Sequence, residues 1–388
     1  MNRSRFLIAS TLAAVAGAFA LIACGDDDTV TNDIVVDGGQ DGTTSETGAP
    51  DTGTQDAAND TAADAGPAVN ATTIVKTNAA FGELAESVAY RGTDSYLTYA
   101  PTGKIVKVSS NGTVTPYAQV PISATSASKN FALGLAFDAA GNLYVGVSTA
   151  TPADALAPAG VYKIPAGGTD GGTVAPIPFA TSASMNFPNA LLFEGGKLWI
   201  TDSFGTLFSV DGTLGGVATA YLADPALQGD NAACPLPGQP FPIGANGIAL
   251  DPAKKNFYIA NTNKGTITRV PLLLDGGTPT ATVVMNDCAK LEGIDGLITD
   301  SKTGNLIAVN NGQNLVQRLV PPLGDAGVGT ITTIYSGAPL DGPAAIVEIP
   351  GSTSPQVFHI ANSAFVTASL PADAGVTAAP GLVKLTIR

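Results

Sequence analysis

The sequence predicts an all-β fold, a six-bladed β-propeller of four-stranded antiparallel blades. Three observations predict it. A four-strand pattern recurs along the chain at intervals of about 50 residues. Its segments alternate apolar and polar residues between Gly, Asn and Asp turns, with no sustained 3.6-residue period. The last copy shows only three strands, while a spare strand precedes the first copy, so the ring can close on itself.

The chain opens with an export signal. Arg3 and Arg5 form a short basic stretch, Phe6 to Ile22 is apolar or small, and Leu21-Ile22-Ala23-Cys24 follows. This run is too short, and too soon followed by acidic residues, for a membrane-spanning helix. Leu-Ile-Ala-Cys resembles a lipobox, in which cleavage precedes the cysteine and the Cys24 thiol is acylated. An ordinary signal peptide with an incidental cysteine is the alternative. Residues 25 to about 71 are mostly Asp, Thr, Gly, Ala and Ser. Such a segment buries too little to offset its ordering entropy and would span on the order of 35–40 Å. The chain therefore divides into a signal peptide (1–23), an acylated Cys24 with its tether (24–72) and a propeller (73–388). The expected location is the bacterial cell envelope, at the outer membrane or cell surface rather than the inner membrane, held by acyl chains alone.

Charge narrows the partners. The formal net charge is −14, with 18 Lys and Arg against 32 Asp and Glu, and it falls further once Arg3 and Arg5 leave with the signal. Nucleic acid is not an expected partner, because phosphate binding needs clustered Lys and Arg. Anionic headgroups are disfavoured for the same reason. A monomer is expected.

Each copy begins with a short apolar strand, such as Ser87-Val88-Ala89-Tyr90 or Gly134-Leu135-Ala136-Phe137. A turn such as Asp138-Ala139-Ala140-Gly141-Asn142 follows, then a strand such as Leu143-Tyr144-Val145-Gly146-Val147. The third strand has the form seen at Gly265-Thr266-Ile267-Thr268-Arg269-Val270, and a variable fourth strand ends the unit. The three strands of the last copy lie near 344–349, 356–362 and 382–387. The spare strand, Thr73-Ile74-Val75-Lys76, is expected to pair with them and remove an open sheet edge.

In a propeller the first strand of every blade lines the central channel. The positions just before these strands are Glu86, Leu133, Asn189, Asn246, Asp295 and Pro343. Glu86, Asn189, Asn246 and Asp295 thus converge on the axis. Two carboxylates and two amide carbonyls are hard oxygen donors that suit calcium, and the two charges balance the ion. Without an ion the carboxylates repel, and at least one pKa rises. Asx turns at strand starts are the structural alternative. Asp202, Asn261, Asn310 and Asn362 recur near the ends of second strands, which suggests a shared role in a turn or behind the ligands, and they read as structural.

Glu86-Ser87-Val88-Ala89, Asn246-Gly247-Ile248-Ala249-Leu250-Asp251-Pro252 and Ile294-Asp295-Gly296-Leu297 resemble the ligand-bearing strands of the SMP-30/gluconolactonase/LRE family of calcium propellers. The use of Asn189 is similar to the related diisopropyl-fluorophosphatase. The resemblance implies a calcium that polarises a lactone carbonyl or phosphoryl oxygen, with Asp295 as general base or nucleophile. It also marks a departure. Sugar-lactonase relatives carry Arg two residues before the blade-three Asn and Asp just after it, where this chain has Phe187 and Ala190. The mouth is thereby more apolar, and Leu133, Phe187 and Pro343 are the expected substrate contacts.

Only Cys234 and Cys288 follow Cys24. They lie in successive connections between blades, so an exported chain is expected to join them as a disulfide above the channel mouth. One histidine and no close cysteine pair give no support to a zinc site, and His359 reads as structural. The functional expectation is a calcium-dependent hydrolase of a small, fairly apolar lactone or ester. The alternative is a non-catalytic propeller that binds a ligand or partner, with a structural calcium. A lyase that relies on a site histidine ranks last.

Overall fold

In the computed structural model the described residues are 68–122, 130–148, 159–166, 174–234, 242–322, 329–371 and 374–388. The signal peptide, Cys24 and all of the tether up to residue 67 lie outside them. Among the described residues no helix is long and apolar enough to cross a membrane.

Six antiparallel sheets form the blades. Their inner strands are Ala85–Arg91, Ala132–Phe137, Pro188–Glu194, Ala245–Leu250, Ile294–Thr299 and Pro343–Thr353. Blade 4 shows how the sequence builds a unit. Its second strand, Asn256–Asn261, buries Phe257 and Ile259 fully, with Asn256 and Tyr258 half-buried beside them. The turn before it is held by Asp251, which accepts the Lys255 N–H at 2.7 Å and the Asn256 amide at 2.7 Å. Asp138 holds Asn142 in the same way in blade 2. These short carboxylate caps replace the hydrogen bonds that a tight turn leaves unmade.

The core is divided among the interfaces between blades. Trp199, Leu207, Ile248, Phe257, Ile259 and Val270 pack blade 3 on blade 4, and five comparable clusters fill the other interfaces. One of them joins Val88, Leu97 and Val106 of blade 1 to Ala361 and Leu382 of blade 6. The ring is closed by packing as well as by strand pairing.

Closure follows the expected scheme with an earlier start. The N-terminal strand runs from Val69 to Lys76 and pairs with Gly381–Ile387 as the outer strand of blade 6. It thus begins four residues before the expected boundary, because Val69 and Ala71 also pack on the core between blades 5 and 6. Blade 2 has an addition that the repeat did not reveal. Gly216–Val217, on the chain between the third and outer strands of blade 3, pairs in parallel with its outer strand, Ile177–Thr181.

Every inner strand carries one irregularity at its entry. The first pairs are Ala85 with Tyr99, Ala132 with Val147, Pro188 with Asp202, Ala245 with Asn261, Ile294 with Asn310 and Pro343 with Asn362. In all six the register then shifts, with one extra residue on the inner strand. A bulge of this kind leaves a residue unpaired and re-aims its side chain. Just past it, Ser87, Gly134, Ala190, Gly247, Gly296 and Ala345 form a ring of small residues. A Cβ at Gly247 would stand 2.3 Å from the Asp295 carbonyl oxygen, and one at Gly134 would stand 2.2 Å from that of Asn189. The inner strands approach so closely that little side chain fits between them.

Candidate functional site

The six bulges place Glu86, Leu133, Asn189, Asn246, Asp295 and Ala344 at one register, each directly after the first paired residue. This corrects the sequence reading at blade 6. Pro343 is equivalent to Pro188 and Ala245, and Ala344 takes the sixth inward position. Sequence spacing could not separate the two, because the bulge is invisible until the strands are paired.

Glu86, Asn189, Asn246 and Asp295 all line one cavity of about 360 Å³ on the axis. Below them its wall is apolar, with Leu135, Leu192, Ile248, Leu297 and Val347 among its residues. The four expected ligands therefore share one end of a narrow channel. Among the described residues no group of three or more His, Cys, Asp or Glu comes together, so the set is two carboxylates and two amides.

The donors and acceptors around this set are ordered. The Asn189 amide nitrogen donates to Ser203 Oγ at 3.0 Å, and that hydroxyl donates to the Ala245 carbonyl at 2.9 Å. The Asn246 amide nitrogen donates to Thr262 Oγ1 at 3.0 Å, and that hydroxyl donates to the Ile294 carbonyl at 2.8 Å. Asn311 donates to Asp295 Oδ2 at 3.4 Å and to Ser363 Oγ at 3.3 Å. Glu86 differs, because its Oε2 is buried with no hydrogen-bond partner among the described residues.

Electrostatics agree with the geometry. Burial, and then the charge of Asp295, push the Glu86 carboxyl well above its ordinary value. Burial raises Asp295 to about 8, against the pull of hydrogen bonds from Asn311 and Asn246. Two buried carboxylates and an orphaned oxygen are what a hard divalent cation would satisfy, so the residues present fit calcium.

Leu133, Phe187 and Pro343 do not line this cavity. Leu133 and Pro343 are buried at the strand entries, with the Leu133 carbonyl accepting from Thr98 Oγ1. Phe187 instead belongs to an aromatic arc at the ligand end of the inner strands. Its ring centroid lies 6.5 Å from Phe131 and 6.4 Å from Phe204, and Phe131 lies 6.4 Å from Phe365. Phe204 and Phe365 come from connections after second strands, which single-blade patterns did not single out.

Asp202, Asn261, Asn310 and Asn362 each bind main-chain groups of neighbouring loops, a structural role. Asp202 accepts the N–H groups of Asn186, Phe187 and Phe204, and so fixes two phenylalanines of the arc. Asn261 donates to the carbonyls of Ala226 and Gln228. His359 is away from the cavity, with Nδ1 2.7 Å from Ser95 Oγ.

Cys234 and Cys288 form a disulfide with Cα atoms 5.7 Å apart. Its position differs from the expected one above the channel. Cys234 Sγ lies against Gly265, at the turn into the third strand of blade 4. The bridge is thus beside the turn between the second and third strands of blade 4 rather than at the inner strands.

Comparison with known proteins agrees with this architecture. Residues 194–328 match the family model described as SMP-30/Gluconolactonase/LRE-like region. That segment contains Asn246 and Asp295. A calcium-binding protein, regucalcin, from Agrobacterium tumefaciens has a similar structure at 16% identity, covering 83% of this chain and 94% of that one, with a TM-score of 0.53. The PQQ-bound aldose sugar dehydrogenase of Streptomyces coelicolor is similar at 13% identity, over 83% of this chain and 98% of that one, with a TM-score of 0.56. An auxiliary nutrient binding protein from Bacteroides ovatus is similar at 13% identity, over 82% and 77%, with a TM-score of 0.54. No curated protein sequence matches the chain. At these identities the structural likeness speaks to fold alone. With the repeated inner strands and the bulged register together, the chain is a six-bladed propeller, and its segment 194–328 is similar to the SMP-30/Gluconolactonase/LRE-like region.

Proposed function

We propose that this protein is a calcium-dependent hydrolase acting on a small, fairly apolar lactone or ester at the end of its central channel. The observation that carries the reading is the buried Glu86 oxygen without a partner, beside Asp295 and two oriented amides. Glu86, Asn189, Asn246 and Asp295 would hold the ion. Calcium supplies a positive charge that polarises the carbonyl oxygen of the ester and offsets the two carboxylates.

The chain's own groups do the rest. Asp295 is the one of the two carboxylates with hydrogen-bond donors, which fix its direction. As a general base it takes a proton from the attacking water while the water oxygen bonds to the carbonyl carbon. The same proton then passes to the departing alkoxide as the ester C–O bond breaks. The apolar arc of Phe131, Phe187, Phe204 and Phe365 favours substrates with an apolar body over sugars. Substrate and small-molecule partner belong to this same reading, as does an exported, lipid-anchored location through Cys24.

A non-catalytic propeller with a structural calcium is the second reading. Among the described residues the cavity contains no ionisable side chain besides the two ligand carboxylates and Tyr90, which favours it. A panel of lactones and aryl esters, assayed with and without a calcium chelator, separates the two. Hydrolysis that chelation abolishes and calcium restores is expected. Calcium binding with no turnover on any of the panel would leave the structural reading.

A further inference from the structure

Three of the four ligands are held by residues at one shared position. In blades 3, 4 and 5 the residue after the second strand stands beside the inward residue of its own blade. In blade 3 this pair is Ser203 and Asn189, in blade 4 Thr262 and Asn246, and in blade 5 Asn311 and Asp295. In blade 1 the position is Ala100, which is fully buried and has no side-chain polar atom, and Glu86 Oε2 is left without a partner.

The chemistry of each pair is complementary. A hydroxyl can donate one proton and accept others. Ser203 and Thr262 each give their proton to a main-chain carbonyl, that of Ala245 or Ile294. Each is then only an acceptor toward the ligand, so it can receive an amide N–H but cannot satisfy an amide oxygen. The Asn nitrogen must point at the hydroxyl, with the second N–H of Asn246 going to Asp295, and Oδ1 is turned away from the hydroxyl. Ser363 repeats the scheme one step out. It donates to the Gly342 carbonyl at 2.8 Å and accepts from Asn311, whose amide also donates to Asp295.

We propose that Ser203 and Thr262 are positioning residues that set which atom of Asn189 and Asn246 faces the axis, and thereby the site's affinity for a divalent cation. Main-chain carbonyls fix the polarity, so it exists before any ion arrives. Removing the hydroxyl would free the amide to turn its nitrogen inward, where it repels a cation. The inference rests on the calcium reading above, and outer partners of this kind commonly change metal affinity by about 10–100-fold.

The test is calcium titration by isothermal calorimetry on the purified protein, with the calcium-free thermal midpoint measured alongside. Thr262→Val keeps the shape and removes the hydroxyl, and Thr262→Ser restores it. The expected result is calcium affinity at least 10-fold weaker in Thr262→Val, near the original in Thr262→Ser, with the calcium-free midpoints close together. Ser203→Ala provides an independent variant, should Thr262→Val fail to fold. Unchanged calcium affinity in a folded Thr262→Val or Ser203→Ala would overturn the positioning role and leave the calcium reading intact. No calcium binding by the unsubstituted protein would overturn both.

Discussion

Glu86 Oε2 is buried without a hydrogen-bond partner in the cavity that also takes up the Asp295 carboxyl, and the charge of Asp295 pushes the Glu86 carboxyl upward. The pair comes from blades 1 and 5, so neither blade alone contains this electrostatic problem. An unpaired buried carboxylate is tolerated where another function uses it.

Glu86→Gln should act in opposite directions with and without calcium. Without the ion, the amide removes a buried like-charge interaction, and stability should rise by on the order of 1–2 kcal/mol. With the ion, one ligand charge is gone and calcium-induced stabilisation should shrink sharply. Thermal unfolding in chelator and in millimolar calcium checks both signs.

Asp295→Asn keeps one ligand oxygen and the volume but loses the base. Hydrolysis should fall by about 10²–10⁴-fold while circular dichroism and the unfolding midpoint stay near those of the original chain. Retained turnover in this variant would remove Asp295 from the reaction.

Gly247→Ala tests the close approach of inner strands. The added Cβ would meet main-chain atoms of Asp295 and Leu297 at 2.3 and 2.5 Å, and neither can swing aside. A loss of roughly 1–3 kcal/mol is expected in denaturant unfolding, together with weaker cation binding as the Asp295 strand shifts.

His359 gives a pH signature independent of the cavity. Burial first, then the charge of Lys384 across the ladder, lowers its pKa to about 4. Its other close neighbours are Ser95 and the edge-on ring of Tyr90. The unfolded chain takes up a proton near the ordinary 6.5 while the folded chain does not. Stability should therefore be fully present above pH 6.5, fall as pH drops toward 4, and level off below it. The contribution is at most about 3 kcal/mol, and His359→Gln should flatten that part of the curve in pH-dependent urea melts.

Much of this protein was legible in its sequence because its architecture repeats. Apolar alternation and Asp-bearing turns are local, so strands and blade number follow from the chain itself. Glu86, Asn189, Asn246 and Asp295 fell into one register because each blade presents its inner strand in the same way. What tertiary structure decided depends on contacts between distant segments. The bulge that makes Ala344 rather than Pro343 the sixth inward residue exists only once Pro343 pairs with Asn362 and Ala345 with Ala361. The hydroxyls of Ser203 and Thr262 acquire a direction only from carbonyls of the neighbouring blade. Phe365 joins Phe131 across the join between the last blade and the first two, and the Cys234–Cys288 bridge settles against Gly265 of blade 4. Hydrophobic pattern and turn chemistry are properties of a few consecutive residues. The orientation of a donor and the neighbour of a ring are set by packing between segments far apart in sequence.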